Sequence, residues 1–117
     1  LPETKNIING KLLGSMRESA SFINCGRGAS VKEDELIEVL KARPDLTALL
    51  DVTMPEPPEN DSELYVLPNV FLSSHIAGAL GDEVIRMSDC MIEEFIRLKE
   101  GLPLRYVVPP EKLKIMA

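Results

Sequence analysis

Ser21-Phe22-Ile23-Asn24-Cys25-Gly26-Arg27-Gly28, with Ser30-Val31-Lys32-Glu33 close behind it, is the stretch on which the fold turns. Ser21 to Asn24 is brief and apolar at Phe22 and Ile23, then breaks at Gly26 and Gly28. That pattern reads as a buried strand running into a glycine-containing loop. Ser30 and Glu33 have the spacing of a capping box, serine at N-cap and glutamate at N3, so a helix is expected to open there. Its Leu36, Ile37, Val39 and Leu40 gather on one side, and Lys32, Glu35, Glu38 and Lys41 lie largely on the other. Pro44 ends it.

Outward from this unit the alternation continues. Upstream, Ile7, Ile8, Leu12, Leu13 and Met16 suggest a small helix over Ile7 to Met16. Downstream, Leu46 to Leu50 is a second apolar strand closed by Asp51, and an acidic proline-rich loop, Met54 to Asp61, follows. Val70-Phe71-Leu72 is a third strand, introduced by Pro68-Asn69 and ended by Ser73-Ser74-His75. From Leu80 to Glu100 the residues Leu80, Val84, Met87, Met91, Phe95 and Leu98 recur at helical spacing, and Gly101 and Pro103 supply the stop. Strands alternating with helices make a parallel α/β layer, and continuous apolar strands are expected where both sheet faces are covered.

Bulk properties narrow the function. The chain has 117 residues, room for one domain or part of one, and a formal net charge of −6. Its basic residues are scattered among acids, which argues against a nucleic-acid partner. No apolar run approaches the ~20 residues that span a bilayer. Cys25 and Cys90 form no CxxC and are read as reduced thiols in a cytoplasmic protein, and with one histidine no metal site is expected. The opening Leu1-Pro2-Glu3-Thr4 resembles no signal peptide and reads as a cut inside a longer protein.

Each expected strand ends in a residue with useful chemistry: Arg27 after the first, Asp51 and then Glu56 after the second, His75 after the third. Parallel strands point the same way, so the three loops share the carboxyl edge, where such sheets bind ligands. A planar guanidinium grips a carboxylate with two parallel hydrogen bonds. A histidine can protonate a ketone oxygen near neutral pH, and a neighbouring carboxylate fixes its tautomer. The trio suits reduction of a 2-oxo acid, lacking only the hydride donor. Taken singly, Arg27 and Asp51 read as well as loop and turn structure, Glu56 as a solvated charge, and the cysteines as packing.

In order along the chain, four segments resemble the D-isomer-specific 2-hydroxyacid dehydrogenases. They are Pro2-Glu3-Thr4 with Ile7-Ile8-Asn9, then Asn24-Cys25-Gly26-Arg27-Gly28 (N-x-x-R-G), then Asp51-Val52 to Glu56-Pro57 (D-V-x-x-x-E-P), and finally Leu67-Pro68-Asn69-Val70 with His75-Ile76-Ala77-Gly78. The resemblance implies the C-terminal half of a doubly wound, Rossmann-like parallel sheet plus a long C-terminal helix. Residues 1–100 would be the second half of the NAD-binding domain with the start of that helix, and 101–117 a tail packing on a substrate domain. It implies Arg27 as the carboxylate anchor, His75 as general acid/base and Glu56 as its paired carboxylate. Asp51 would contact the nicotinamide carboxamide region, with Cys25, Gly26, Ala77 and Gly78 lining that pocket.

NAD is the implied cofactor, with NADP left open. The implied substrate is a small 2-hydroxy or 2-oxo acid: hydroxypyruvate, glyoxylate or 3-phosphoglycerate. A homodimer is implied for the longer protein. A corepressor-like dinucleotide sensor on the same fold is the alternative. Departures are Ser74 where the family commonly has proline, Cys25-Gly26 in the arginine loop, and Thr53-Met54 in place of an aromatic stretch. Glu56, rather than glutamine, separates the chain from the formate dehydrogenase branch. No G-x-G-x-x-G occurs in the sequence. The 117-residue chain by itself is therefore expected to turn over no 2-oxo acid, and a kcat comparable with that of the full-length protein would contradict this.

Overall fold

The computed structural model describes residues 2–116, which form two compact units, Pro2–Gly78 and a second from Ala79 onward. The first unit contains α1 (Gly10–Gly14), β1 (Ser21–Asn24), α2 (Glu33–Ala42), β2 (Thr47–Leu50) and β3 (Val70–Leu72). The second contains α3 (Asp82–Lys99) and a short 3-10 segment, Pro110–Lys114. No described helix is long and apolar enough to cross a membrane.

The expected parallel sheet is present, in the order β1-β2-β3. Phe22, Ala48 and Val70 stand side by side in register, as do Asn24, Leu50 and Leu72. With a period of two, these rows share one face. That face packs against Leu36 and Leu40 of α2, Leu13 of α1, and Leu64, which a 3-10 turn (Glu63–Tyr65) turns into the core. Asn69 Nδ2 donates to the Leu40 and Leu46 carbonyls, tying the end of α2 to the entry of β2.

The opposite face departs from expectation. Ile23, Leu49 and Phe71 line up across the three strands but are 63%, 39% and 59% exposed, so the described residues cover only one face. The apolar content of the strands signalled burial on both sides; the described residues supply a layer for one. In the second unit α3 likewise buries no residue, and Met87, Met91 and Phe95 are exposed. Gly101 ends α3 at φ 68°, a conformation that a Cβ penalises.

The capping box is not formed. Helix α2 starts at Glu33, with Lys32 at the N-cap position and no side-chain cap. Ser30 instead closes a 3-10 turn (Gly28–Ser30), its hydroxyl donating to the Arg27 carbonyl. The Glu33 carboxylate leaves its own helix to accept from the Met54 amide at 3.1 Å. A local turn claims the Ser30 hydroxyl and a tertiary partner claims the Glu33 carboxylate, so the cap pairing is lost at both positions. The first helix is also shorter than its apolar pattern implied, beginning after Asn9, whose side chain accepts from Leu12 N.

At the amino edge of the sheet Arg43 is held from several sides. It pairs with both oxygens of Asp45 at 2.8 and 2.7 Å and donates to the carbonyls of Gly14 and Met16. The Arg43 guanidinium, with the Ser19 amide, lowers the Asp45 carboxyl to about 2.

Gly28 marks where two loops of the carboxyl edge touch. A Cβ built there would lie 2.0 Å from the Thr53 carbonyl oxygen, a backbone atom that cannot swing aside. Gly28→Ala is expected to lower stability by about 3 kcal/mol, the upper range for overpacking a tight contact. Urea unfolding of the purified chain checks this, and an unchanged midpoint would contradict it.

Candidate active site at the carboxyl edge of the sheet

The loop after β2 carries an aspartate and a glutamate with different fates. Asp51 is only 5% exposed, and its amide donates to the Asn24 carbonyl, continuing the ladder one step beyond the strands. Its carboxylate is filled by the loop after β3. Oδ1 accepts from Ser73 Oγ at 2.5 Å and from Ile76 N at 2.8 Å, while Oδ2 accepts from Ala77 N at 2.9 Å. The Ser73 hydroxyl above all, then the two amides and the nearby His75, hold its carboxyl below the usual range, against the effect of burial.

His75 stands inside that braced loop, at φ 57°. A left-handed backbone is uncommon for a residue with a full side chain, and such strain persists only where surrounding contacts enforce it. Ser73 on one side of His75, and Ile76 and Ala77 on the other, are pinned to the same carboxylate. His75 Nδ1 lies 2.6 Å from Glu56 Oε1, the two side chains being 45% and 42% exposed. Exposed pairs of this kind add little stability. The geometry fixes a ring orientation rather than a fold.

Glu56 reaches His75 from the proline-rich loop, which is anchored on both sides of it, Tyr65 Oη donating to the Pro58 carbonyl at 3.2 Å beyond it. Thr53 Oγ1 donates to the Pro55 carbonyl at 2.7 Å, and the Met54 amide is held by Glu33. Burial pushes the Glu33 carboxyl up, with the Met54 amide working the other way. Glu56, Pro57, Pro58, Ser73, Ser74 and His75 line a cleft of about 320 Å³. Small-molecule sites begin at about this size.

Arg27 is placed less definitively. Its loop is organised by Asn24, whose side chain accepts from Gly26 N and donates to the Arg27 carbonyl. The exposed guanidinium turns back to the Gly26 carbonyl at 2.8 Å and joins neither His75 nor Glu56 among the described hydrogen bonds. Unlike Arg43, it keeps most of its donors for another partner. Cys25 and Ala77 lie with Asp51 and Ile76 around a second cavity, about 250 Å³, which opens onto the uncovered sheet face at Ile23 and Leu49. Gly78 is exposed, with nothing near the position a Cβ would take. Among the described residues no group of three His, Cys, Asp or Glu side chains is placed to hold a metal ion.

The fold thus brings His75 and Glu56 together, sets Asp51 and Cys25 on a shared cavity, and leaves Arg27 on the same edge, bonded to neither His75 nor Glu56 among the described hydrogen bonds. Ser73 was not singled out from sequence, although a hydroxyl two residues before the histidine was the available signal. Asp51→Asn would turn an amide group toward the Ile76 and Ala77 donors and is expected to destabilise the chain near neutral pH. Because the Asp51 carboxyl is lowered in the folded state, its contribution is complete above the unfolded aspartate value and is lost as pH falls through the folded one. Urea unfolding of both proteins should show the gap narrowing below about pH 4; a gap that does not shrink in acid would count against the brace.

Residues 1–77 match the D-isomer specific 2-hydroxyacid dehydrogenase, NAD binding domain, family. The chain is 38% identical over 112 residues to a glyoxylate/hydroxypyruvate reductase B from Pectobacterium atrosepticum, covering 96% of this chain and 35% of that protein. Among solved structures it resembles an NADPH-dependent glyoxylate/hydroxypyruvate reductase from Sinorhizobium meliloti, in complex with NADP and sulfate, at 32% identity and a TM-score of 0.76, covering 92% of this chain and 35% of that one. It also resembles a D-lactate dehydrogenase with NAD+ from Lactobacillus jensenii at 27% identity and a TM-score of 0.81, over 93% of this chain and 37% of that one. The chain spans about a third of the length of these relatives. With its parallel sheet and the matching segments at each strand end, the chain belongs to the D-isomer specific 2-hydroxyacid dehydrogenase family.

Proposed function

We propose that this chain carries the proton-transfer half of an NAD(P)-dependent enzyme that interconverts D-2-hydroxy acids and 2-oxo acids. The observation that carries the reading is the 2.6 Å contact between His75 Nδ1 and Glu56 Oε1 at the mouth of a cleft of substrate size. With Nδ1–H donated to Glu56, Nε2 is the nitrogen that faces a substrate oxygen. Glu56 holds the ring's orientation and stabilises the charged imidazolium.

In the direction of reduction, His75 gives its Nε2 proton to the carbonyl oxygen, which stays on its carbon and becomes the hydroxyl as hydride adds there, and Glu56 keeps the resulting neutral ring in one tautomer. In oxidation His75 takes the hydroxyl proton and becomes imidazolium. Arg27, with its free guanidinium donors, binds the substrate carboxylate by two parallel bonds and so orients the carbon between that carboxylate and His75. Both roles are ordinary for these side chains near neutral pH.

The second cavity suits a nicotinamide ring. Ile23, Leu49 and Ile76 offer apolar walls, and Cys25 and Ala77 are small. Three of the roughly four acceptor positions of the Asp51 carboxylate are filled, which leaves about one for an amide N–H. Gly26 and Gly78, the chain neighbours of Cys25 and Ala77, belong to the same proposed pocket. Bound there, the reduced nicotinamide would supply the hydride. A homodimer and a cytoplasmic location belong to the same proposal for the longer protein.

In the full-length protein, His75→Asn is expected to lower kcat for hydroxypyruvate or glyoxylate reduction by about 10²- to 10⁴-fold, the usual weight of a general acid. Arg27→Lys should act mainly on KM. Consumption of NADH and NADPH followed with each 2-oxo acid checks both. Undiminished turnover in the His75 variant would remove the assignment.

A further inference from the structure

We propose that Ser73 is a positioning residue for this reaction: through the Asp51 carboxylate, its hydroxyl sets the loop that aims His75 at Glu56. The proposal rests on the reading of His75 as the proton donor.

Ser73 is where the sheet hands over to the catalytic loop. Its amide still continues the ladder, donating to the Leu50 carbonyl at 3.0 Å, while its hydroxyl already donates to Asp51 Oδ1 at 2.5 Å. The same oxygen accepts from Ile76 N, and the other from Ala77 N. Five consecutive residues are thereby closed around one buried carboxylate, with His75 in the middle at φ 57°. The hydroxyl does two things here. It fixes the rotation of the carboxylate, so that both oxygens meet their amides, and it fastens the β3 end of the loop.

Ser73 acts through the Asp51 carboxylate and not through the apolar core. Ser73 is itself exposed and contributes no apolar area to the core. The His75–Glu56 pair is half exposed and has little energy of its own with which to hold the loop. Ring orientation is therefore delegated to the backbone, and the backbone to Asp51 and Ser73. A small error in the ring's position is enough to slow proton transfer strongly. Threonine would present the same hydroxyl; alanine would leave Asp51 Oδ1 with the Ile76 amide alone.

The experiment compares Ser73→Ala, Ser73→Thr and His75→Asn in the full-length protein, with hydroxypyruvate and NADH. Ser73→Ala is expected to lower kcat roughly 10- to 100-fold with KM changed far less, while the unfolding midpoint falls by no more than the loss of one hydrogen bond explains. Ser73→Thr should restore kcat. In the 117-residue chain, hydrogen exchange at the Ile76 and Ala77 amides should accelerate in Ser73→Ala and not in Ser73→Thr. If His75→Asn is inactive while Ser73→Ala turns over like the parent, this proposal alone falls. A fall in kcat that tracks a loss of stability and is not rescued by threonine overturns it as well. Should His75→Asn keep full turnover, both the proton-donor reading and the Ser73 role are overturned together.

Discussion

At the carboxyl edge of the sheet one carboxylate does the work of joining loops that sequence keeps far apart. Asp51 directly follows β2, and its amide still pairs with the carbonyl of Asn24 in β1. Its side chain then gathers Ser73, Ile76 and Ala77 from beyond β3. A buried carboxylate has to be saturated with donors, since an unpaired one would be costly to desolvate. Here the donors come from the loop that holds His75, so satisfying the charge and shaping the loop are one event. The left-handed backbone of His75 is tolerated because the residues on both sides of it are held.

Two further contacts bring the other loops to the same place. Gly28 lets the arginine loop lie against the backbone of Thr53, where any side chain would collide. Glu33 reaches from the first turn of α2 to the Met54 amide, two residues before Glu56. The amino edge, by contrast, is closed by the Arg43–Asp45 pair, whose donors and acceptors are largely used within the fold. The difference is one of saturation. Arg43 is spent on structure, whereas Arg27 and the outer nitrogen of His75 remain available on the opposite edge.

The uncovered face of the sheet is apolar across all three strands, at Ile23, Leu49 and Phe71. Next to Cys25, Asp51 and Ala77, the first two also form the apolar side of the cavity proposed for the nicotinamide. Hydride and proton would then approach one substrate carbon and its oxygen from two adjoining cavities that share Asp51 and Ser73.

Much of this was legible in the order of residues. Short apolar runs at 21–24 and 70–72 coincide with β1 and β3, and chemistry-bearing residues stand after each strand as a parallel layer requires. Strand period, glycine breaks and proline stops are local properties, carried by a few neighbouring residues. What tertiary structure alone decided is where polar groups find partners. Ser30 and Glu33 had the spacing of a cap, yet the Ser30 hydroxyl turned back to Arg27 and the Glu33 carboxylate found the Met54 amide, 21 residues away. Asp51 read equally as a turn cap or a cofactor contact until the loop amides closed on it. The 2.6 Å meeting of His75 and Glu56 joins residues 19 apart. Sequence settles which side chains reach an edge, because strand direction is a local matter. Their distances depend on the packing of loops that no local pattern encodes.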